Sequence, residues 1–257
     1  MKSPIIPKLI TPHNLLDNID NYKIIDVRRL IEYRAGHIPN ALPLPFSNFI
    51  KLVGVALYPA PAEELSATLS HIGVTEDDFI IFYDNFYGRH AARAAYTLEL
   101  LGFRKLGLLS TTFDEYVKQN HPVTAQKQPL IQKTNLTLRY DEQSIITREK
   151  IIQLIQNSDE KTVIVDTRSP ADYEFGHIPS AVNIPWHKIY SSTNLFNFEA
   201  IKQAAEEKQI NPDVSVVFYC EEGTSSSFMM YGFRLAGFTK THTYLPSYPG
   251  WLSMLKP

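Results

Sequence analysis

Four short runs of consecutive apolar residues stand out along the chain: Ile24–Val27, Ile80–Tyr83, Val163–Asp166 and Val216–Tyr219. They are too short for helices and show no polar alternation, which predicts strands covered on both faces. Amphipathic stretches separate them, and Glu63–Ile72 and Phe198–Lys208 are the clearest helices among these. Thr11 and Thr147 each stand just ahead of a helical pattern, where a threonine hydroxyl caps the first free N–H groups. Strand–helix alternation at this spacing predicts βαβ units, with a mostly parallel sheet and helices on both faces. The polar stretch that holds Gln126, Lys127, Gln128 and Pro129 has no period and predicts a linker over 124–139. Two α/β domains follow, 1–123 and 140–257.

The two halves repeat one another. "IIDVRRLIEYRAGHIPNALPLPF" (24–46) lies over "IVDTRSPADYEFGHIPSAVNIPW" (164–186) without a gap. Asp26 and Arg28 thereby match Asp166 and Arg168, and Gly36 to Pro39 match Gly176 to Pro179. Downstream, "IIFYD" (80–84) matches "VVFYC" (216–220), so Asp84 stands opposite Cys220. One extra residue follows Asp84, and the register returns at Gly88/Gly223 and Gly102/Gly237.

Composition narrows the functions open to such a chain. With 25 basic and 27 acidic residues the net charge is -2, which points to neither nucleic acid nor an anionic membrane. A single cysteine excludes an internal disulfide framework and Cys-rich metal sites. The opening "MKSPIIPKLITPHNLL" is interrupted by Pro4, Pro7 and Lys8 and makes a poor signal peptide, and no run reaches the length of a membrane span. The expectation is a soluble, cytoplasmic protein with no metal and no membrane partner.

Cys220 is the candidate for chemistry. It closes an apolar strand, and in open α/β sheets ligands bind beyond the carboxyl ends of the strands. Gly223 lets the backbone curl over it, and a helix can begin at Thr224. Backbone N–H groups and the positive end of that helix would then favour an anionic sulfur, with hydroxyls from Thr224, Ser225 and Ser226 around it. A lone cysteine is ordinarily a small buried hydrophobe. The twin argues against that here, because a core position would have kept an apolar residue rather than become Asp84. His37 and His177 occur in both copies, with and without the thiol, and read as turn and packing residues. Asp26 and Asp166 read as loop anchors.

Asp-x-Arg, Gly-His-Ile-Pro-x-Ala and a strand-terminal Cys-x-x-Gly loop, in a duplicated α/β chain, resemble the two-domain rhodanese family of thiosulfate and 3-mercaptopyruvate sulfurtransferases. The likeness covers nearly the whole chain, including the closing "YLPSYPGW" (244–251). It implies two doubly wound domains with a central five-stranded parallel sheet each, the first an inactive copy and the second catalytic. It implies that Cys220 carries a sulfane sulfur as a persulfide, from a small donor to a thiophilic acceptor (cyanide, a thiol or a protein thiol), with no cofactor. It also suggests Arg168 as a contact to a substrate carboxylate, a task suited to an arginine fork. The twin Arg28 leaves open a purely structural Asp–Arg pair. Trp251 either covers the site or packs.

Glu221 and Glu222 fit neither branch of the family, in which basic or small residues follow the cysteine. One unit charge at ~6 Å costs a thiolate about 3 kcal/mol at an effective dielectric of 20 and about 0.7 in water. The glutamates therefore disfavour a dianionic donor without forbidding a reactive thiolate. They could equally attract a cationic acceptor or a protein, so a non-catalytic persulfide carrier or docking module is the alternative. A Cys-x5-Arg phosphatase is disfavoured, because Ser226 stands where its arginine would be.

Overall fold

The computed structural model describes residues 5–126, 132–156 and 161–253. The first half runs β1 (Lys8–Ile10), α1 (Pro12–Asp17), β2 (Lys23–Asp26), α2 (Leu30–Ala35), β3 (Leu42–Pro43), β4 (Ile50–Val53), β5 (Ala56–Pro59), α3 (Ala62–His71), β6 (Ile80–Tyr83), α4 (Arg89–Leu100), β7 (Leu106–Leu109) and α5 (Phe113–Lys118). The second runs α6 (Arg148–Gln156), β8 (Thr162–Asp166), α7 (Pro170–Phe175), β9 (Val182–Asn183), β10 (Tyr190–Ser191), β11 (Leu195–Phe196), α8 (Phe198–Glu207), β12 (Ser215–Tyr219), α9 (Thr224–Leu235), β13 (Thr241–Thr243) and α10 (Ser247–Leu252). The four apolar runs are strands, and both anticipated helices form within a residue of their expected ends. Thr11 and Thr147 cap as expected, their hydroxyls accepting the N–H groups of Asn14 and Lys150.

The first domain has a five-stranded sheet in the order β1-β7-β6-β2-β3, all parallel. The second has four parallel strands, β13-β12-β8-β9. The difference from the expected five lies at Ile145 and Ile146, which match the β1 region of the first half. A short turn over Glu142–Ser144, capped by Asp141, takes the N–H of Ile145 onto the Glu142 carbonyl. That donor is therefore lost to the edge of β13. Side chains alternate between the two faces of each sheet, as the period of two requires. In β6, Ile80 and Phe82 face a core shared by both halves while Ile81 and Tyr83 face a smaller outer cluster; in β12, Val216 and Phe218 do the first and Val217 and Tyr219 the second.

Part of the expected linker, with Lys127, Gln128 and Pro129, lies outside the described residues. Beyond it the chain follows α3: Ser70 accepts the N–H groups of Thr134 and Leu136, through its carbonyl and hydroxyl, and the Ser66 hydroxyl accepts that of Leu138. Leu136 and Leu138 are buried there. No helix of the described residues is long and apolar enough to cross a membrane.

The halves meet through α4 and α9, which pack side by side in the same sense, with Gly88 near Phe228 at one end and Glu99 against Arg234 at the other. Arg234 Nη1 donates to both Glu99 oxygens at 2.8 Å and to the Ile5 carbonyl at 2.8 Å, and its other nitrogens bind Thr241. Tyr231 donates its hydroxyl to Glu99 at 3.0 Å. The ion pair is almost fully desolvated, the side chains being 1% and 9% exposed. Breaking one side of such a pair costs about 3–5 kcal/mol, because a charge is left buried alone. Glu99→Gln should lower the thermal midpoint by about 6 °C or more, and pairing it with Arg234→Met should recover part of the loss. A melting curve for Glu99→Gln that matches the parent would show that the pair does not hold the halves together.

Candidate active site

β12 ends at Tyr219, and Cys220 begins the loop that leads to α9. Gly223 adopts φ 77°, a left-handed conformation suited to glycine, and turns the chain into the helix. Its N–H donates to the Cys220 sulfur at 3.0 Å. The sulfur lies 3.6 Å from the Ser226 hydroxyl and 3.8 Å from that of Ser247, and is itself buried. Ser247, at φ 57°, also accepts the N–H of Cys220 at 3.3 Å, and the Cys220 carbonyl accepts from Tyr248 N–H at 3.0 Å. The thiol thus sits in a polar pocket at the positive end of a twelve-residue helix. Thr224, Ser225 and Ser226 are all buried in the first turn. Ser225 contacts Thr167 at 3.0 Å, which anchors the turn to the loop after β8.

The first domain builds the same turn around a different atom. Gly88 has φ 75°, matching Gly223. Asp84 Oδ1 accepts from Phe86 and Gly88 N–H, each at 2.8 Å, and Oδ2 from Ala91 N–H at 2.8 Å. The carboxylate fills the nest that in the twin faces the sulfur.

Arg168 is committed in large part to its own domain. Nε and Nη2 bind both oxygens of Asp166 at 2.6–3.1 Å, and Nη2 also donates to the Gly176 carbonyl at 2.6 Å. Arg28 makes the same contacts with Asp26 and Gly36. Burial pulls the Arg168 guanidinium down, but the hydrogen bonds and charge of Asp166 more than offset this, and it stays above its ordinary value. Its face stacks on Tyr248 at 4.0 Å. Nη1 is left, and it points to Glu221 at 3.9 Å. Glu221 is 62% exposed at the side chain. Partial burial and the nearby carboxylates of Asp172 and Glu222 raise its carboxyl against the pull of Arg168. Glu222 is exposed as well.

The histidines serve turns. His37 and His177 each donate from Nδ1 to a carbonyl four residues back at 2.9 Å and stack on that tyrosine, Tyr33 or Tyr173. Trp251 packs in the outer cluster of the second domain, with Ile151 and Tyr244. Among the described residues, no group of three or more His, Cys, Asp or Glu is placed to share a metal ion.

Three residues at the site were not anticipated. Ser247 lies in the closing segment, and nothing in its residue type marks it. Arg89 and Arg93 come from α4 of the other domain. Arg89 is held between Phe86 (3.9 Å) and Trp186 (4.1 Å). Burial lowers it from its ordinary value against the pull of Cys220, Asp84 and Glu222. Arg93 is fully buried beside Gly223. The repeat held a signal for both, since in register they face Thr224 and Phe228, so the thiol-free copy gained two cations on one helix face.

Comparison with known proteins agrees with this fold. The thiosulfate sulfurtransferase of Gallus gallus is 25% identical over 243 residues, which cover 88% of this chain and 82% of that protein. The sulfur carrier protein TtuD of Thermus thermophilus is 24% identical over 242 residues, covering 86% and 84%. SseA from Escherichia coli, described with the 3-mercaptopyruvate sulfotransferases, superposes with a TM-score of 0.84 at 18% identity, covering 94% of this chain and 99% of that one, a likeness of fold. A rhodanese-like domain is matched at residues 11–119 and again at 148–254, so the chain belongs to the rhodanese family and carries its domain twice.

Proposed function

We propose that the protein is a sulfurtransferase that moves a sulfane sulfur from a small donor, 3-mercaptopyruvate or thiosulfate, to a thiophilic acceptor through a persulfide on Cys220. One observation carries the reading: the only sulfur of its kind in the chain sits at a helix N-terminus and accepts the Gly223 N–H at 3.0 Å. An anionic sulfur gains from such donors, whereas an inert core thiol has no use for them. The relatives named as thiosulfate sulfurtransferases support the same chemistry.

In the first half-reaction the thiolate attacks the outer sulfur of the donor. With thiosulfate the S–S bond breaks, its electron pair leaves on sulfite, and Cys220 holds S–S⁻. With mercaptopyruvate the C–S bond breaks, its electron pair goes to carbon, and the enolate takes a proton to give pyruvate. In the second, an acceptor such as cyanide attacks the terminal sulfur, forms thiocyanate, and returns the thiolate. No step calls for a metal or redox cofactor. The Ser226 hydroxyl accepts from the thiol at 3.6 Å, and the Ser247 hydroxyl lies 3.8 Å from the sulfur while donating to the Tyr244 carbonyl. Arg168 has one nitrogen outside the Asp166 and Gly176 contacts, Nη1, which Glu221 faces at 3.9 Å, so it can offer a donor carboxylate a single contact rather than a fork. The first domain carries no nucleophile: Asp84 spends both oxygens on its own loop.

A carrier role is the second reading, favoured by the exposed acidic pair beside the thiol and by the likeness to a sulfur carrier protein. Here the same persulfide passes to a protein acceptor. Incubation with a sulfur donor should make the intact protein heavier by one sulfur atom, and Cys220→Ser should abolish both the added mass and thiocyanate formation. Transfer at the parent rate by the serine variant would end both readings. An adduct that cyanide discharges only slowly would select the carrier.

The acidic pair generates a second expectation. Glu221→Gly with Glu222→Ser removes two charges that oppose a dianion and frees Arg168 Nη1. kcat/KM for thiosulfate should rise several-fold more than for mercaptopyruvate, and the difference should shrink in high salt. Equal changes for both donors in steady-state assays would mean that the glutamates do not select the donor.

A further inference from the structure

The buried arginine of α4 calls for an anion. Arg93 is completely shielded from solvent, and its Nε and Nη1 have no hydrogen-bond partner among the described residues. Nη2 reaches only the Leu57 carbonyl, at a long 3.5 Å. A guanidinium buried without partners is strongly unfavourable unless a charge compensates it. Its position is defined by Gly223, where an added Cβ would stand 3.4 Å from Arg93 Cζ and 3.5 Å from Nε. The same glycine donates its N–H to the Cys220 sulfur.

The surroundings narrow the choice of anion. Tyr96 and Tyr140 act on Arg93, but burial pushes Tyr96 up to about 12 and Tyr140 higher still, so both are neutral phenols at physiological pH. On the loop, Glu221 leans to Arg168, itself held by Asp166, while Arg89 is acted on by Cys220 and also by Asp84 and Glu222. Burial pulls Arg93 down to about 10, and among the groups that push back Cys220 is the strongest. Arg93 is therefore still protonated at neutral pH.

We propose that Arg93, supplied by the thiol-free domain, is the counter-charge of the sulfur anion on Cys220, with Nε–H and Nη1–H directed across the interface to the thiolate and then to the terminal sulfur of the persulfide. The second part rests on the persulfide reading above. The duplicate domain then contributes to the reaction itself, and each domain alone holds only half of the site.

The test reads the thiolate without a sulfur donor, so it stands even if no donor loads Cys220. Arg93→Met and Arg93→Lys are compared with the parent for the rate of Cys220 alkylation by iodoacetamide, a neutral reagent, across pH 6–10. Near-ultraviolet circular dichroism checks the fold. Arg93→Met should react about tenfold more slowly at pH 7, with its rate–pH curve moved to higher pH and the same plateau at high pH. Arg93→Lys should stay close to the parent. A methionine variant whose curve superposes on the parent's overturns the proposal. If that variant does not fold, a crystal structure of the parent protein at pH 8 decides. Nε or Nη1 within about 3.5 Å of the Cys220 sulfur, or of an anion carried on it, supports the assignment. Both nitrogens turned to protein carbonyls or carboxylates overturns it.

Discussion

The side-by-side packing of α4 and α9 sets the terms for the rest of the molecule. Duplication makes these helices equivalent, so positions of the same register meet across the interface: Tyr96 approaches Tyr231, and Glu99 meets Arg234. Identical residues at the second pair would have placed like charges together in a dry interface. Divergence to Glu and Arg turns that contact into a desolvated ion pair and joins two domains that no longer need to be alike. Because the helices run in the same sense, both N-termini come to one region. Two positive helix ends side by side repel unless anions sit at them.

The chain meets that demand in two ways. At α4 the anion is permanent: the Asp84 carboxylate takes three backbone N–H groups and closes its own loop. At α9 the place is held by the Cys220 sulfur, which accepts the Gly223 N–H. The extra residue between Asp84 and Gly88 goes with this difference, since a carboxylate reaches further than a thiol and spans a wider loop. In the first domain, then, that position is filled from within by Asp84, and its helix α4 packs against α9.

Much of this was legible in the residues. The repeat, the four buried strands, the threonine caps and the Cys220–Gly223 turn all follow from local pattern, because a strand buried on both faces and a left-handed glycine leave direct marks. The missing fifth strand of the second sheet was not legible. Ile145 and Ile146 have the right character, but the turn over Glu142–Ser144 takes the Ile145 N–H onto the Glu142 carbonyl. Leu136 and Leu138 were lost in a polar stretch because their burial depends on two serines one turn apart on α3. Arg93 escaped for a related reason: its importance lies in what it fails to bind within its own domain, which only the packed interface displays.

The charges at the mouth of the site can now be counted by partner rather than by residue. Arg168 is neutralised by Asp166 before Glu221 reaches it, and Arg89 faces Asp84 and Glu222. Glu221 is only weakly balanced, which agrees with its exposed position, where water screens it cheaply. Among the described residues at the site, Arg93 is a buried cation that no carboxylate binds, and Cys220 is the strongest charge acting on it. A buried positive charge there would match a single negative charge on Cys220, in a thiolate and equally in the persulfide proposed above. A thiosulfate dianion approaching the thiolate would bring two negative charges and raise the total there to three. A mercaptopyruvate monoanion would bring one, and Arg168 Nη1 could meet its carboxylate in place of Glu221. On charge alone, a monoanionic donor would meet less repulsion at this site than a dianionic one.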